Sequence, residues 1–280
     1  MLLFSRRRFA RIIGAAAAAR ALRADAPALS VTGIDHLKLR VANSGASALF
    51  YYGLFGGEIA ALRNSTFPDS PLVDEFFLRI GEQPGPYLML SGLRAGEKTG
   101  LDHLSLLAGP LPAARSILER NGISVIKPDQ SGLWFRDPGD NLIELIYGPT
   151  RSTFGALAPQ SRLPLPANLS GLRPTFAPTA ITRLRVGFPN LAAASEFYRR
   201  VVAAPTVVFP PTFPCGATAL EFRNGAPGLD RIVVGIRGFT PETARRILTE
   251  RGITPYGAPH EVFFRDPDDN ELQVVAPLAP

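Results

Sequence analysis

Three histidines occur in the 280-residue chain, and two of them, His36 and His103, stand in the same local context, each preceded by Asp and followed by Leu. An imidazole is a metal ligand or a proton carrier near neutral pH. A third group belongs with them. Glu144 sits among aliphatic neighbours in the run Leu142-Ile143-Glu144-Leu145-Ile146, where an ionised carboxylate is costly unless something positive is bound to it. Two imidazoles and a carboxylate suit Fe(II), Mn(II) or Zn(II) and leave coordination positions open for substrate or water. Cys215 is the only cysteine, which excludes a thiolate zinc site and an intramolecular disulfide. The alternative is structural: two histidines hydrogen-bonded within a sheet, with Glu144 paired to Arg136. His260 has no counterpart elsewhere in the chain and is expected in a surface loop.

The elements that carry these residues follow from alternation. Residues 33–41 read as a strand on which His36 shares a face with Lys38 and Arg40, while Leu37, Leu39 and Val41 face a helix predicted over 45–54. Strands are predicted at 58–63, 75–80 and 86–90. A second unit begins at 101–107, where His103 shares its face with Ser105, continues in a helix over about 111–121, and ends in a hairpin over 132–146. The turn of that hairpin, Asp137-Pro138-Gly139-Asp140-Asn141, puts Leu142, Glu144 and Ile146 on one face of the last strand. Both units have the order strand, helix, strands.

The pattern then repeats. After a Pro-, Gly- and Ser-rich stretch over 148–179, expected to be a linker, Ala180–Val186 answers the first strand, and Phe197-Tyr198 answers Phe50-Tyr51 at an offset of 147. Asp266-Pro267-Asp268-Asp269-Asn270 answers the hairpin turn. The offset falls to 128 across the third unit, so that unit is about 19 residues shorter than the first and is predicted to lack a strand. Arg183, Arg231 and Gln273 stand where the first half has His36, His103 and Glu144. A guanidinium cannot bind a cation, so the second half is expected to be metal-free. Arg183, Arg185 and Arg231 either line an anion-binding second cup or form salt bridges, with Glu271 as one partner.

Charge points away from nucleic acid. Of a formal net charge of +6, residues 1–26 account for five, with six arginines against Asp25. The remainder is nearly neutral, which removes the main support for a nucleic-acid or anionic-membrane partner. The leader, Ser5-Arg6-Arg7-Arg8-Phe9 followed by a short apolar run and small residues, resembles a twin-arginine export signal over residues 1–28. It implies a periplasmic or secreted protein. The apolar run is too short to span a bilayer, so no permanent membrane span is expected.

With its repeats and its His36, His103 and Glu144 set, the chain resembles the vicinal oxygen chelate superfamily, which includes glyoxalase I, type I extradiol dioxygenases and bleomycin- and fosfomycin-resistance proteins. The resemblance covers 33–147 and 180–276. It implies an α+β fold of four βαβββ units, paired into two domains with cup-shaped mixed sheets, and a divalent metal on His36, His103 and Glu144 in the first. Residues 87–91, where a glyoxalase-type site would have a fourth ligand, contain no Asp or Glu. Three protein ligands resemble the extradiol and fosfomycin-type pattern. Exchange of units would combine His36 with Arg231 and Gln273, so the first two units are expected to pair with each other.

The implied function is an exported metal-dependent enzyme acting on a small oxygen-chelating substrate in an extradiol-dioxygenase-like reaction, with Fe(II) or Mn(II) favoured. The alternatives are a glyoxalase- or epimerase-like lyase or isomerase, with Zn(II), Ni(II) or Co(II), and a non-catalytic binding protein of the resistance type. Extradiol enzymes resemble one another in a further histidine that is not a metal ligand and a nearby tyrosine; here no further histidine exists in the first half, and Trp134 stands near the tyrosine position. Lys38 is the candidate acid or base, and Lys38, Ser105, Tyr87 and Trp134 are candidate substrate contacts.

Overall fold

The computed structural model describes residues 28–63, 74–82, 85–128, 132–147, 162–163, 169, 171–202 and 206–277. The expected export leader lies outside them except for Ala28. The first unit comprises β1 (Gly33–Val41), α1 (Ser44–Phe55), β2 (Glu58–Arg63), β3 (Asp74–Arg79) and β4 (Tyr87–Gly92). The second comprises β5 (Gly100–Ala108), α2 (Leu111–Arg120), β6 (Lys127–Pro128), β7 (Leu133–Arg136) and β8 (Leu142–Tyr147). After β9 (Arg162–Leu163), the third has β10 (Pro178–Phe188), α3 (Leu191–Val201), β11 (Thr212–Cys215) and β12 (Thr218–Asn224). The fourth has β13 (Gly228–Ile236), α4 (Pro241–Glu250), β14 (Val262–Arg265) and β15 (Glu271–Val275).

Local chemistry sets the helix ends. Asn43 caps α1 by accepting from the Ala46 amide at 3.0 Å, and Asn190 caps α3 through Ala193 at the same distance. α1 stops at Gly56, whose φ of 60° disfavours any side chain.

The strands form two mixed sheets. The first has the order β6-β7-β8-β5-β1-β4-β3-β2-β9, the second β11-β12-β10-β13-β15-β14. In the first, β1 and β5 are antiparallel neighbours at the centre, with β4 parallel to β1 and β8 parallel to β5. The second repeats this frame, with β12 parallel to β10, β13 antiparallel to β10 and β15 parallel to β13. Among the described residues the third unit has one strand fewer than the first, in line with its shorter length.

The alternation of β1 decides which side is dry. Leu37, Leu39 and Val41 are buried in a core that continues into the second half through Leu184, Val186, Phe222 and Phe264. Each such side chain taken from water contributes about 1.5–3 kcal/mol. The stretch expected as a bare linker is different where it is described. β9 pairs with β2, Leu169 and Phe176 are buried, and the Phe176 amide donates to the Leu54 carbonyl at 2.8 Å. Its few apolar residues dock on α1, so part of the segment belongs to the core. No helix among the described residues is long and apolar enough to cross a membrane.

Candidate metal centre

His36 on β1, His103 on β5 and Glu144 on β8 come from three neighbouring strands and meet on the face opposite the helices. One ligand atom from each lies within 4.8 Å of the others. The two Nε2 atoms are 2.9 Å apart, and Glu144 Oε2 is 3.7 and 3.8 Å from them. All three residues are buried.

Two irregularities in the β1–β5 ladder complete the arrangement. The register skips Asp35 between Ile34 and His36, and skips Asp102 where the pairing passes from Lys38–His103 to Leu39–Leu101. In a regular strand neighbours point to opposite faces; a bulged residue is released from that rule. Each bulged aspartate reaches the histidine that follows it: Asp35 Oδ2 is 2.8 Å from His36 Nδ1, and Asp102 Oδ1 is 2.7 Å from His103 Nδ1. The aspartates are held in turn. Tyr87 donates its hydroxyl to Asp35 at 2.9 Å, and Arg40 donates Nε to Asp102 at 2.6 Å. Burial alone would raise the Asp102 carboxyl, but the hydrogen bond with the His103 ring, aided by Lys38 and Arg40, holds it down at about 2.

This arrangement tests whether the residues fit a metal. A carboxylate that accepts a hydrogen bond from Nδ1–H keeps the ring proton there and leaves Nε2 with its lone pair. Burial pushes His103 down to about 4, so its ring is neutral at pH 7, the form a ligand needs. Two lone pairs and a carboxylate oxygen therefore converge, an arrangement a divalent cation fits. Two nitrogens each ~2.1 Å from one ion at a right angle stand ~3 Å apart, close to the separation seen.

The remaining expected site residues take different places. Ser105 faces His36 on one side and Glu144 on the other in the strand register; its Oγ is fully buried with no hydrogen-bond partner among the described residues. Trp134 pairs with Glu144 across the β7–β8 hairpin, meets the His103 ring edge-on at 4.7 Å, and has a buried Nε1 with no hydrogen-bond partner among the described residues. Tyr87, offered as a substrate contact, is 1% exposed and stacked on His36 at 5.2 Å, and its hydroxyl donates to Asp35, so it braces the His36 ring. Lys38, the register partner of His103, lies beside the site and donates to Glu75 Oε1 at 2.9 Å. A small apolar cluster of Ala60, Phe77 and Tyr87, with Met89 against it, is separate from the main core. Met89 pairs with Lys38 and Phe77 with Met89, so this cluster extends the same face.

Arg136 bonds to Asp140 in its own turn, at 2.6 Å to the carbonyl and 3.4 Å to the carboxylate, a different pairing from the Glu144 salt bridge weighed above. Asp35 and Asp102 are the residues of the candidate site that sequence reasoning passed over; their recurrence directly before each histidine was the available signal.

In the second half, ion pairs take the place of ligands. Arg183 and Arg185 both bond to Glu221, which is 3% exposed. Arg231 bonds to Glu271, lies 4.3 Å over the Phe263 ring, and reaches Gln273 Oε1 at 3.4 Å; Tyr256 also donates to Glu271. Each of the three arginines offered for an anion site is thus engaged with an internal carboxylate. Burial pushes the Cys215 thiol up to about 12, which keeps it protonated.

No protein-family model matches the chain, and no curated protein sequence matches it. Solved structures do. The 2,3-dioxygenase LapB from Pseudomonas sp. KL28 aligns over 89% of this chain and 93% of its own, with 15% identity and a TM-score of 0.60. A catechol 2,3-dioxygenase aligns over 90% of each chain, with 16% identity and a TM-score of 0.60. The Mn(II)-bound glyoxalase from Novosphingobium aromaticivorans aligns over 90% of this chain and 84% of its own, with 16% identity and a TM-score of 0.61. Two mixed sheets built from repeated units, matched over nearly their whole length by dioxygenases and a glyoxalase, give this chain the vicinal oxygen chelate fold in its two-domain form.

Proposed function

We propose that the protein is a metal-dependent enzyme acting on a small substrate through two neighbouring oxygens, in an extradiol-dioxygenase-like reaction. The observation that carries this reading is the convergence of His36 Nε2, His103 Nε2 and a Glu144 oxygen, with both Nδ1 atoms tied to aspartates. Two histidines and one carboxylate with open positions are the donor set of non-haem Fe(II) oxygenases. A metal held there would supply Lewis acidity and, if redox-active, a place to activate dioxygen.

The chain's own residues supply the rest. Met89, half-buried and packed on Phe77, offers an apolar surface beside the ligands, suited to the ring of a catechol-sized substrate. The Lys38 ammonium, fixed by Glu75, which also accepts from Ser91 at 3.2 Å, is placed to hold an anionic oxygen of a substrate or to pass it a proton. Acid–base help of that kind is worth about 10²–10⁴-fold. In protein purified without oxygen or chelator, one equivalent of iron or manganese and oxygen uptake with a catechol would support the proposal. Lys38→Met should then lower turnover by about 10²-fold with the metal content unchanged. Unchanged turnover would remove Lys38 from the chemistry.

A second reading, a lyase or isomerase acting on an enolisable carbonyl, is favoured by the Mn(II)-bound glyoxalase among the structural likenesses. It consumes no oxygen, so stoichiometric zinc or nickel without oxygen uptake would select it. A chain that binds no metal would leave a small-molecule binding role. The arginine-rich leader adds export to the proposal: residues 1–30 should carry a folded reporter out of the cytoplasm, and replacing Arg6, Arg7 and Arg8 with lysine should retain it there.

A further inference from the structure

Two repeated motifs find each other across the halves. Tyr198, on α3 of the third unit, is 2% exposed and donates its hydroxyl to Asp137 Oδ2 at 3.0 Å, in the turn of the second unit. Tyr51, its counterpart on α1, is fully buried and donates to Asp266 Oδ2 at 2.8 Å, in the turn of the fourth unit. Each half thus clasps the hairpin turn of the other.

The two clasps hold different cargo. Asp137 organises its turn by accepting from the Gly139 amide at 2.8 Å, the Asn141 amide at 3.0 Å and the Asn141 side chain. That turn sets the β7–β8 register, in which Glu144 lies opposite Trp134 only three residues beyond Asn141. The second half touches the turn again at Gly139, where an added Cβ would come 2.7 Å from the Phe188 ring. Asp266 does the same for the β14–β15 hairpin, accepting from the Asp268 and Asn270 amides at 2.9 and 2.8 Å, and that hairpin delivers Gln273. Only the Tyr198 clasp leads to a ligand.

We infer that the second half serves the metal site of the first, with Tyr198 as a positioning residue that fixes the Asp137 turn and through it Glu144. This rests on the proposed metal site and adds a reason for the second half to be present. Because a hairpin's alternation transmits any change in its turn, a loosened Asp137 turn would tilt Glu144 away from His36 and His103, whose own supports lie elsewhere.

The mirrored clasp provides the control. Zn(II) affinity would be measured in the full chain by competition with a chromophoric chelator, for wild type, Tyr198→Phe and Tyr51→Phe, beside urea unfolding of each metal-free protein. Each variant loses one buried hydrogen bond to an aspartate, so both should be destabilised. Tyr198→Phe should weaken Zn(II) binding by about tenfold, and Tyr51→Phe by less than about twofold. Gly139→Ala, which pushes the same turn off Phe188, should weaken binding in the same direction and serves if Tyr198→Phe does not fold. Equal loss in the two tyrosine variants, or none in either, would overturn the positioning role while leaving the metal site standing. Wild type that binds no Zn(II) would overturn both.

Discussion

If His36, His103 and Glu144 hold a metal as proposed, His103→Ala should abolish its binding while leaving the protein folded. Zinc sites with four protein ligands bind with about 10–16 kcal/mol, so one ligand of a set like this stands for roughly 3 kcal/mol, at least ~10²-fold in affinity. The loss should exceed that share. Without the ring, Asp102 keeps Arg40 but no longer has the His103 Nδ1 proton, and His36 Nε2 loses the neighbour 2.9 Å away. Metal analysis after gel filtration should fall from about one equivalent to near zero. The fold should survive, since the imidazole faces away from the core that Leu104 and Leu106 enter from the same strand. A variant that retains its full complement of metal would refute the ligand assignment, and with it the function built on it.

Arg185→Ala should destabilise the protein by about 3 kcal/mol without touching the metal. Glu221 is 3% exposed, and its two oxygens are each bonded by one arginine, Arg183 on Oε2 and Arg185 on Oε1. Removing Arg185 leaves a buried carboxylate half compensated, and a buried charge stripped of a partner costs far more than the intact pair contributes. Arg183 cannot cover the loss easily, because its own side chain is 41% exposed and its attraction is weakened by water. Urea unfolding should show the midpoint falling with an unchanged slope. The double variant Arg185→Ala/Glu221→Leu should recover much of the stability, because it removes the stranded charge as well as its partner. A loss under about 0.5 kcal/mol in the single variant would mean that solvent reaches Glu221 freely.

The triad was legible in the sequence because period-two alternation and repetition act over short stretches. His36 and His103 are readable from their matching strands, and Glu144 from a turn only a few residues upstream. The roles of Asp35 and Asp102 were not legible, since alternation places adjacent residues on opposite faces and only a bulge in the ladder reverses that. Tyr87 shows the same limit. Its aromatic character suggested a substrate contact, while the bond from its hydroxyl to an aspartate 52 positions away could not be read locally. The Phe-Tyr and Asp-Pro motifs were each visible as repeats, yet their partnership spans 61 residues in one clasp and 215 in the other, beyond any local periodicity. Leu169 and Phe176 were hidden by the Pro- and Gly-rich composition around them, which describes a segment's average and not its anchors.

The bulges of the first half have counterparts in the second. The β10–β13 ladder skips Thr182 between Ile181 and Arg183, and skips Asp230 where the pairing passes from Arg185–Arg231 to Val186–Leu229. These are the positions of Asp35 and Asp102. No histidine follows either residue, so no ring is present to be gripped. The two halves thus share a main-chain irregularity, beneath paired arginines and carboxylates in the second. In duplicated folds of this kind, two copies can share a backbone irregularity after their side-chain chemistry has diverged. The kinship of two such copies is then read more reliably from hydrogen-bond register than from residue identity.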